Sequence, residues 1–228
     1  MLSGADHDRL HQAIAEAERH TDGEVFCVLT HESGAYRETP LAWAAMVALL
    51  APPLALAVGL RPYAIVALFQ NGWTVAQETA MRGAEMTILI GYGVVQALLF
   101  VAVMALVSWA PVRRALTPAF IKRRQVHARA MEQFVQRMHA SKATTGILIY
   151  ASLAERRVEV VADEDIHAKV PPGEWDRAIK AAVGPIGKGD VAGGLIAAIT
   201  LCGQALAKHF PRHAGVEHPD DNDYVIEV

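Results

Sequence analysis

Cysteine is scarce, with two residues in 228, too few for a disulfide framework or a Cys-based zinc site. No charge sign dominates. The 21 Lys and Arg against 24 Asp and Glu leave a formal charge of −3 and a pI near 6.4, which argues against a general nucleic-acid binder. With 17 Gly and 11 Pro, the chain is neither collagen-like nor of low complexity. The motifs of common catalysts are missing too. GPIGKG at 184–189 has neither the P-loop spacing nor the hydroxyl that should follow it, and no GxSxG or protein-kinase set occurs. The first 40 residues hold no basic stretch leading into an apolar one, so no signal peptide is expected.

What the chain has is apolar residues, concentrated locally. Hydrophobic residues make up 53% and charged ones 20%, and the mean hydropathy is +0.22. That is too apolar for a disordered chain and high for an ordinary soluble domain. Residues 41–60 (LAWAAMVALLAPPLALAVGL) carry no charge, and neither do residues 86–112. At about 1.5 Å per residue each run is long enough to cross a bilayer. Trp43, Tyr63, Trp73 and Trp109 lie near the ends of these runs, as interfacial anchors do. The alternative is a pair of buried helices in a large soluble core. Pro52-Pro53 predicts a kink or two half-helices in the first run. Residues 62–77 hold the short run YAIVALF, which extends the first span or lies at the interface. Arg113, Arg114, Lys122, Arg123, Arg124 and Arg129 follow the second run with no acid until Glu132. The positive-inside rule puts that flank in the cytoplasm.

The remaining sequence reads as soluble and folded. Residues 6–21 (DHDRLHQAIAEAERHT) place Leu10, Ala13, Ile14 and Ala17 on one helical stripe, with Asp6 or Asp8 as cap. EVFCVLTH at 24–31 reads as a strand. A long helix follows Pro118 and runs to about Ala140, with Val126, Ala130, Phe134 and Met138 inward. GILIYASL at 146–153 and RVEVVA at 157–162 form a hairpin. A helix over 174–186 is expected to break at Gly184-Pro185, and Asp190 caps a last helix over 191–210. A single strand is not stable alone, so 24–31 must pair with one of the hairpin strands. One domain is then interrupted by an even number of spans. The expected organisation is 1–39 as the first part of the soluble domain, 40–112 as a transmembrane hairpin with spans about 41–60 and 86–110, 113–210 as the second part, and 211–228 as a polar tail ending in YVIEV, which could add an edge strand.

AIAEAERHTDGEVFCVLT, ARAMEQF, TGILIYASLAERRVEVVADEDI and GDVAGGLIAAITLCGQAL together resemble the TPM domain family, closest to bacterial membrane-anchored members. The resemblance implies an α/β fold, a small helix-flanked sheet of the TPM type, here interrupted by a two-helix transmembrane hairpin. It implies no single activity, since the family includes a thylakoid-lumen acid phosphatase, a photosystem II repair factor and a receptor-modulating membrane protein, and calcium binding is attributed to some members. Many members carry a Gly-Tyr-Gly-like segment after the third strand, where this chain has Ala162-Asp163-Glu164-Asp165-Ile166.

Several residues could carry chemistry. Asp163, Glu164 and Asp165 follow a strand end, where α/β folds place ligands, and with Asp190 they could hold Ca²⁺ or Mg²⁺. The alternative is a solvated turn and an N-cap. His7 and His11 share a helix face in HDRLH but need a third ligand to hold zinc; a polar helix face is the alternative. His209 and His213 flank Pro211 and read as tail residues. Cys27 and Cys202 read as small buried hydrophobes, and Glu16, Glu18 and Glu32 as surface acids. Gln96 with Gly91 and Gly93 marks either a helix contact or a lipid-facing position.

The expectation is a multi-pass protein of the bacterial plasma (inner) membrane, with its soluble domain and both termini cytoplasmic. It is read as a membrane-tethered interaction, assembly or maintenance module. Its partners would be the lipid bilayer and a membrane protein or a second copy of itself, with no nucleic acid. The alternative is a metal-assisted acid phosphatase using Asp163, Asp165 and Asp190, with Ca²⁺ or Mg²⁺ as cofactor.

Overall fold

Helix α1 (Gly4–Glu18) starts on Ser3, not on Asp6 or Asp8. Asp6 stands three residues inside and completes a capping box. Its backbone N–H donates to Ser3 Oγ at 3.2 Å, and its own carboxylate accepts the Ser3 N–H at 3.0 Å. Two of the orphan donors of the first turn are thus satisfied reciprocally. The computed structural model in which this is seen describes residues 2–34, 36–59, 80–141 and 145–213. The 62–77 segment, with Tyr63 and Trp73, and the terminal YVIEV therefore lie outside the described residues.

Three strands form one sheet: β1 (Glu24–Thr30), β2 (Gly146–Ser152) and β3 (Arg157–Ala162), in the order β1-β2-β3. β1 pairs with β2 in parallel, Glu24 opposite Gly146 and Thr30 opposite Ser152. β2 and β3 form the expected antiparallel hairpin, from Ile147 opposite Ala162 to Ser152 opposite Arg157. Its turn ends on Arg156, whose φ of 51° is left-handed. Strand alternation then makes two cores. Val25, Cys27, Leu29, Ile147 and Ile149 point one way, into Leu10 and Ile14 of α1 and the last three helices. Phe26, Val28, Leu148 and Tyr150 point the other way, onto Val126, Ala130 and Phe134 of the long helix over Ala119–Ser141. Both faces of β1 and β2 are buried, which is why each strand reads as an unbroken apolar run. At the start of β1 the Val25 N–H donates to the buried Glu18 carboxylate at 2.9 Å, so Glu18 is not the surface acid that its sequence context suggests.

The described residues divide into two units. One is Met1–Ala35 with Ala119–Val228, and the other is Tyr36–Pro118. The second holds α2 (Glu38–Ala57), α3 (Ala80–Ser108) and α4 (Ala110–Leu116), with α2 packed on α3. α2 is one helix through Pro52 and Pro53 rather than two half-helices. The second apolar run breaks at Trp109, which is extended; Pro111 has no N–H for the carbonyl four residues back and its ring would clash with it in a continuous helix, while it is tolerated in the first turn of a new one. Trp43 donates its indole N–H to the Leu116 carbonyl at 3.2 Å, and the Thr39 and Thr117 hydroxyls meet at 3.2 Å. A Cβ added at Gly91 or Gly93 would meet nothing, so among the described residues neither glycine is a close helix contact.

The first unit continues with α5 (Ala119–Ser141), α6 (Glu164–Lys169), α7 (Pro172–Gly187) and α8 (Val191–His209). α6 is an extra short helix where a turn was one alternative. α7 runs through Gly184-Pro185 instead of breaking there. Pro185 costs one late hydrogen bond, and the helix closes two residues on, with the Asp190 N–H returning to the Pro185 carbonyl at 3.1 Å. The chain after α8 is tied down as well. Thr21 donates its hydroxyl to the Phe210 carbonyl at 2.7 Å, and the His213 ring and N–H both bond Asp22. His213 is therefore not a loose tail residue.

α8 is as apolar as a membrane helix, yet half of it is buried within its own unit. It packs that closely because it is small-sided. A Cβ at Gly194 would fall 2.6 Å from the Ala182 carbonyl, and one at Gly203 would fall 2.6 Å from the Ala17 Cβ. Gly203→Val should therefore lower unfolding stability by about 1–3 kcal/mol, the usual cost of overpacking. Gly184→Ala, where an added Cβ meets nothing, should leave it unchanged or raise it by up to about 1 kcal/mol. Denaturant titration of the detergent-solubilised chain reads both.

Candidate functional site

Asp163, Asp165 and Asp190 are placed by helix starts. Asp163 caps α6, accepting the Ile166 N–H on Oδ1 at 2.8 Å and the Gly146 N–H on Oδ2 at 2.8 Å. The Asp163 N–H in turn donates to the Gly146 carbonyl at 3.2 Å. One side chain thus ties the start of β2, the end of β3 and α6 together. Asp165 is exposed in the first turn of α6. Asp190 caps α8 through the Gly193 N–H at 2.8 Å and is exposed. Among the described residues no three His, Cys, Asp or Glu side chains form a group able to hold a metal ion, a statement that includes His7 and His11.

The two cysteines are enclosed in the apolar core between β1 and α8. Burial pushes the Cys27 thiol up to about 12 and the Cys202 thiol up further still. Both stay protonated at neutral pH, so neither is a nucleophile.

A cleft does exist, at a place that residue motifs do not mark. β1 and β2 are parallel, and beyond their carboxyl ends lies a cavity of about 310 Å³. Thr30, Glu32, Ser33 and Gly34, the end of β1 and its following loop, form one wall; Arg129 and Gln133 of α5 and Tyr150 of β2 form the rest. The outer ends of parallel strands are where open α/β sheets bind ligands, since helix and loop diverge there. Thr30 donates its hydroxyl to the Glu32 carbonyl at 3.2 Å, which bends the loop back. Tyr150 donates to Ser33 Oγ at 3.2 Å, and the Ser33 N–H donates to Glu155 Oε2 at 3.2 Å. Glu155 also holds the Ser152 hydroxyl. Arg129 is paired with Glu132 at 2.7 Å. Glu32 Oε1 is buried with no hydrogen-bond partner among the described residues. Burial, opposed by the hydrogen bond to Ser33, raises the Tyr150 phenol.

Sequence reasoning set Glu32 aside as a surface acid and passed over Ser33, Gln133 and Tyr150. One signal was present: a strand without a polar residue in its centre ends abruptly in Thr30-His31-Glu32-Ser33-Gly34. It becomes informative only when β1 is known to run parallel to β2.

These features define a class, a small helix-flanked α/β sheet with an apolar helical insert between its first two strands. Residues 115–205 match the family model described as the TPM domain. The match leaves out α1 and also β1, the third strand of the sheet. A similar solved structure is the NMR structure of the BA42 protein from the psychrophilic bacterium Bizionia argentinensis. It is 16% identical, with a TM-score of 0.51 over 98% of this chain and 95% of that one. At that identity the likeness is one of fold. No curated protein matches.

Two outcomes are expected from these placements. Asp163→Ala should cost about 1–3 kcal/mol of unfolding stability, the worth of a cap and a second hydrogen bond, while Asp165→Ala should change it little; thermal or urea unfolding distinguishes them. Iodoacetamide at pH 8 should leave Cys27 and Cys202 unmodified in the folded chain and label both in urea, as read by mass spectrometry.

Proposed function

We propose that this chain is an integral protein of the bacterial plasma membrane. Its TPM domain is held at the cytoplasmic face by the hairpin of α2 and α3 and works there by binding a membrane protein or another copy of itself. The observation that carries this reading is the state of α3. Only 6% of Ile90–Ser108 is buried, and Ile90, Val94, Leu98, Val101 and Leu106 all stand outward. α2 likewise leaves Leu41, Leu49, Leu50 and Leu54 outward. In water each such side chain forgoes about 1.5–3 kcal/mol of burial, whereas a bilayer accepts them all. α8, of similar composition, buries half its length in its own unit and is read as a core helix.

The pairing of β1 with β2 supports an even number of crossings. These strands flank the insert in sequence and lie side by side in one sheet, so both ends of the insert must return to one side of the membrane. The basic residues 113–129 support the cytoplasmic side. A binding role fits the first unit better than hydrolysis, because Asp163 and Asp190 are already engaged as caps.

Reporter fusions after residues 20 and 200 should both report the cytoplasm, and the chain should stay in the membrane pellet through alkaline carbonate. Reporters on opposite sides, or release by carbonate, would overturn the reading.

A further inference from the structure

Helix α5 is apolar on two sides. Its inner side, Val126, Ala130 and Phe134, packs on Phe26, Val28, Leu148 and Tyr150, and among the described residues it is the one helix in that core. Its outer side is apolar as well. The first unit leaves five large apolar side chains exposed among its described residues. Four of them, Phe120, Ile121, Met131 and Val135, stand on α5, and the fifth is Val183 of α7. At about 100° per residue those four share one helix face with Arg124 and Ala128, both exposed. The stripe from Phe120 to Val135 is about 22 Å long at about 1.5 Å per residue.

Charge selects what covers this face. Arg9, Arg19, Arg129 and Arg177 each pair with an acid three residues away. Lys122, Arg123 and Arg124 have no acid three or four residues away, and none occurs between Glu85 and Glu132. None of the three forms an ion pair among the described residues. Glu132, the one acid on α5, is held by Arg129 at 2.7 Å. A second copy laid on this face in parallel would set three unpaired cations against three more, which repel. An anionic lipid surface accepts both the cations and the apolar stripe beside them. Only Thr117 and Pro118 separate α5 from α4, which closes the second apolar run, so the chain holds the first turn of α5 near the end of that run.

We propose that the outer face of α5 lies on the inner leaflet. Phe120, Ile121, Met131 and Val135 are set into the headgroup boundary, and Lys122, Arg123 and Arg124 donate to the phosphates of anionic phospholipids. The proposal rests on the membrane insertion given above and goes beyond it, since a hairpin alone leaves the domain free of the surface. It leaves α1 and α7, which pack on the other side of the sheet, as the side open to a partner.

The test uses the full chain in nanodiscs of phosphatidylcholine, alone or mixed with phosphatidylglycerol. A nitroxide is placed on one introduced cysteine at a time, Cys27 and Cys202 being enclosed. Ala128→Cys reports the outer face of α5, Val183→Cys the surface across the sheet, and Val101→Cys the tether. Relaxation by oxygen marks a label in lipid, and relaxation by a water-soluble nickel chelate marks one in water. The Ala128 label should favour oxygen in the mixed bilayer and nickel in phosphatidylcholine alone, with the Val183 label in water in both. Replacing Lys122, Arg123 and Arg124 together by Gln should weaken docking by on the order of a hundredfold, at about fivefold per charge, read across a titration of phosphatidylglycerol content. Arg113 and Arg114 stay in place to hold the sidedness. Phe120→Ser should weaken docking with every charge kept. Protection of Cys27 and Cys202 from iodoacetamide checks that both variants are folded. An Ala128 label in water in both bilayers, with the Val101 label in lipid, overturns the proposal and leaves the tether standing. Spin–spin broadening at Ala128 that ignores lipid charge assigns the face to a second copy and overturns it too. A Val101 label in water sinks the tether itself, so the two failures are distinguishable.

Discussion

The parallel pairing of β1 with β2 is the constraint on which the remainder of the molecule depends. Seven residues of each strand are in register, from Glu24 with Gly146 to Thr30 with Ser152, although more than a hundred residues separate them in the chain. A parallel pair needs a crossover, and here the crossover contains both α5 and the apolar insert. The pairing closes the sheet, gives each face its own core, brings the ends of the insert back together and leaves the cleft at the shared carboxyl end. Closing so long a loop costs more entropy than closing a hairpin, though the cost grows only slowly with length. The apolar burial on both faces of both strands offsets it.

Helix α8 shows how composition alone misleads. By length and hydropathy it is, like α2 and α3, apolar enough to cross a membrane, yet its apolar side chains are absorbed by β1, β2, α1 and α7. Gly194 and Gly203 allow that absorption, because the backbones of α7 and α1 come too close for any side chain there. Among the described residues α3 has no comparable cover over Ile90–Ser108. What separates a core helix from the proposed tether is the presence of a partner surface, and hydropathy does not carry that information.

The acids illustrate the same distinction on the polar side. Asp163, Asp165 and Asp190 stand at helix starts, and two of them satisfy backbone N–H groups that nothing else reaches. Glu18 and Glu32 look like surface residues in the sequence, yet Glu18 is buried and bonds the Val25 N–H of β1, and Glu32 has one carboxylate oxygen enclosed. A carboxylate's role depends on which donors the fold leaves unpaired nearby, and most of those donors are distant in sequence.

By itself the sequence determined what is local. The stripe of α1, the apolar runs of β1 and β2, the β2–β3 hairpin, the long helix α5 and the TPM resemblance follow from periodicity and short-range turn chemistry, whose causes lie within a few residues. It also required that β1 pair with one hairpin strand, because a lone strand is unstable. Only the tertiary structure decided which strand, and in which direction. That choice created the carboxyl-end cleft from Glu32, Arg129 and Tyr150. These residues belong to three separate elements, and only the sheet's register brings them together.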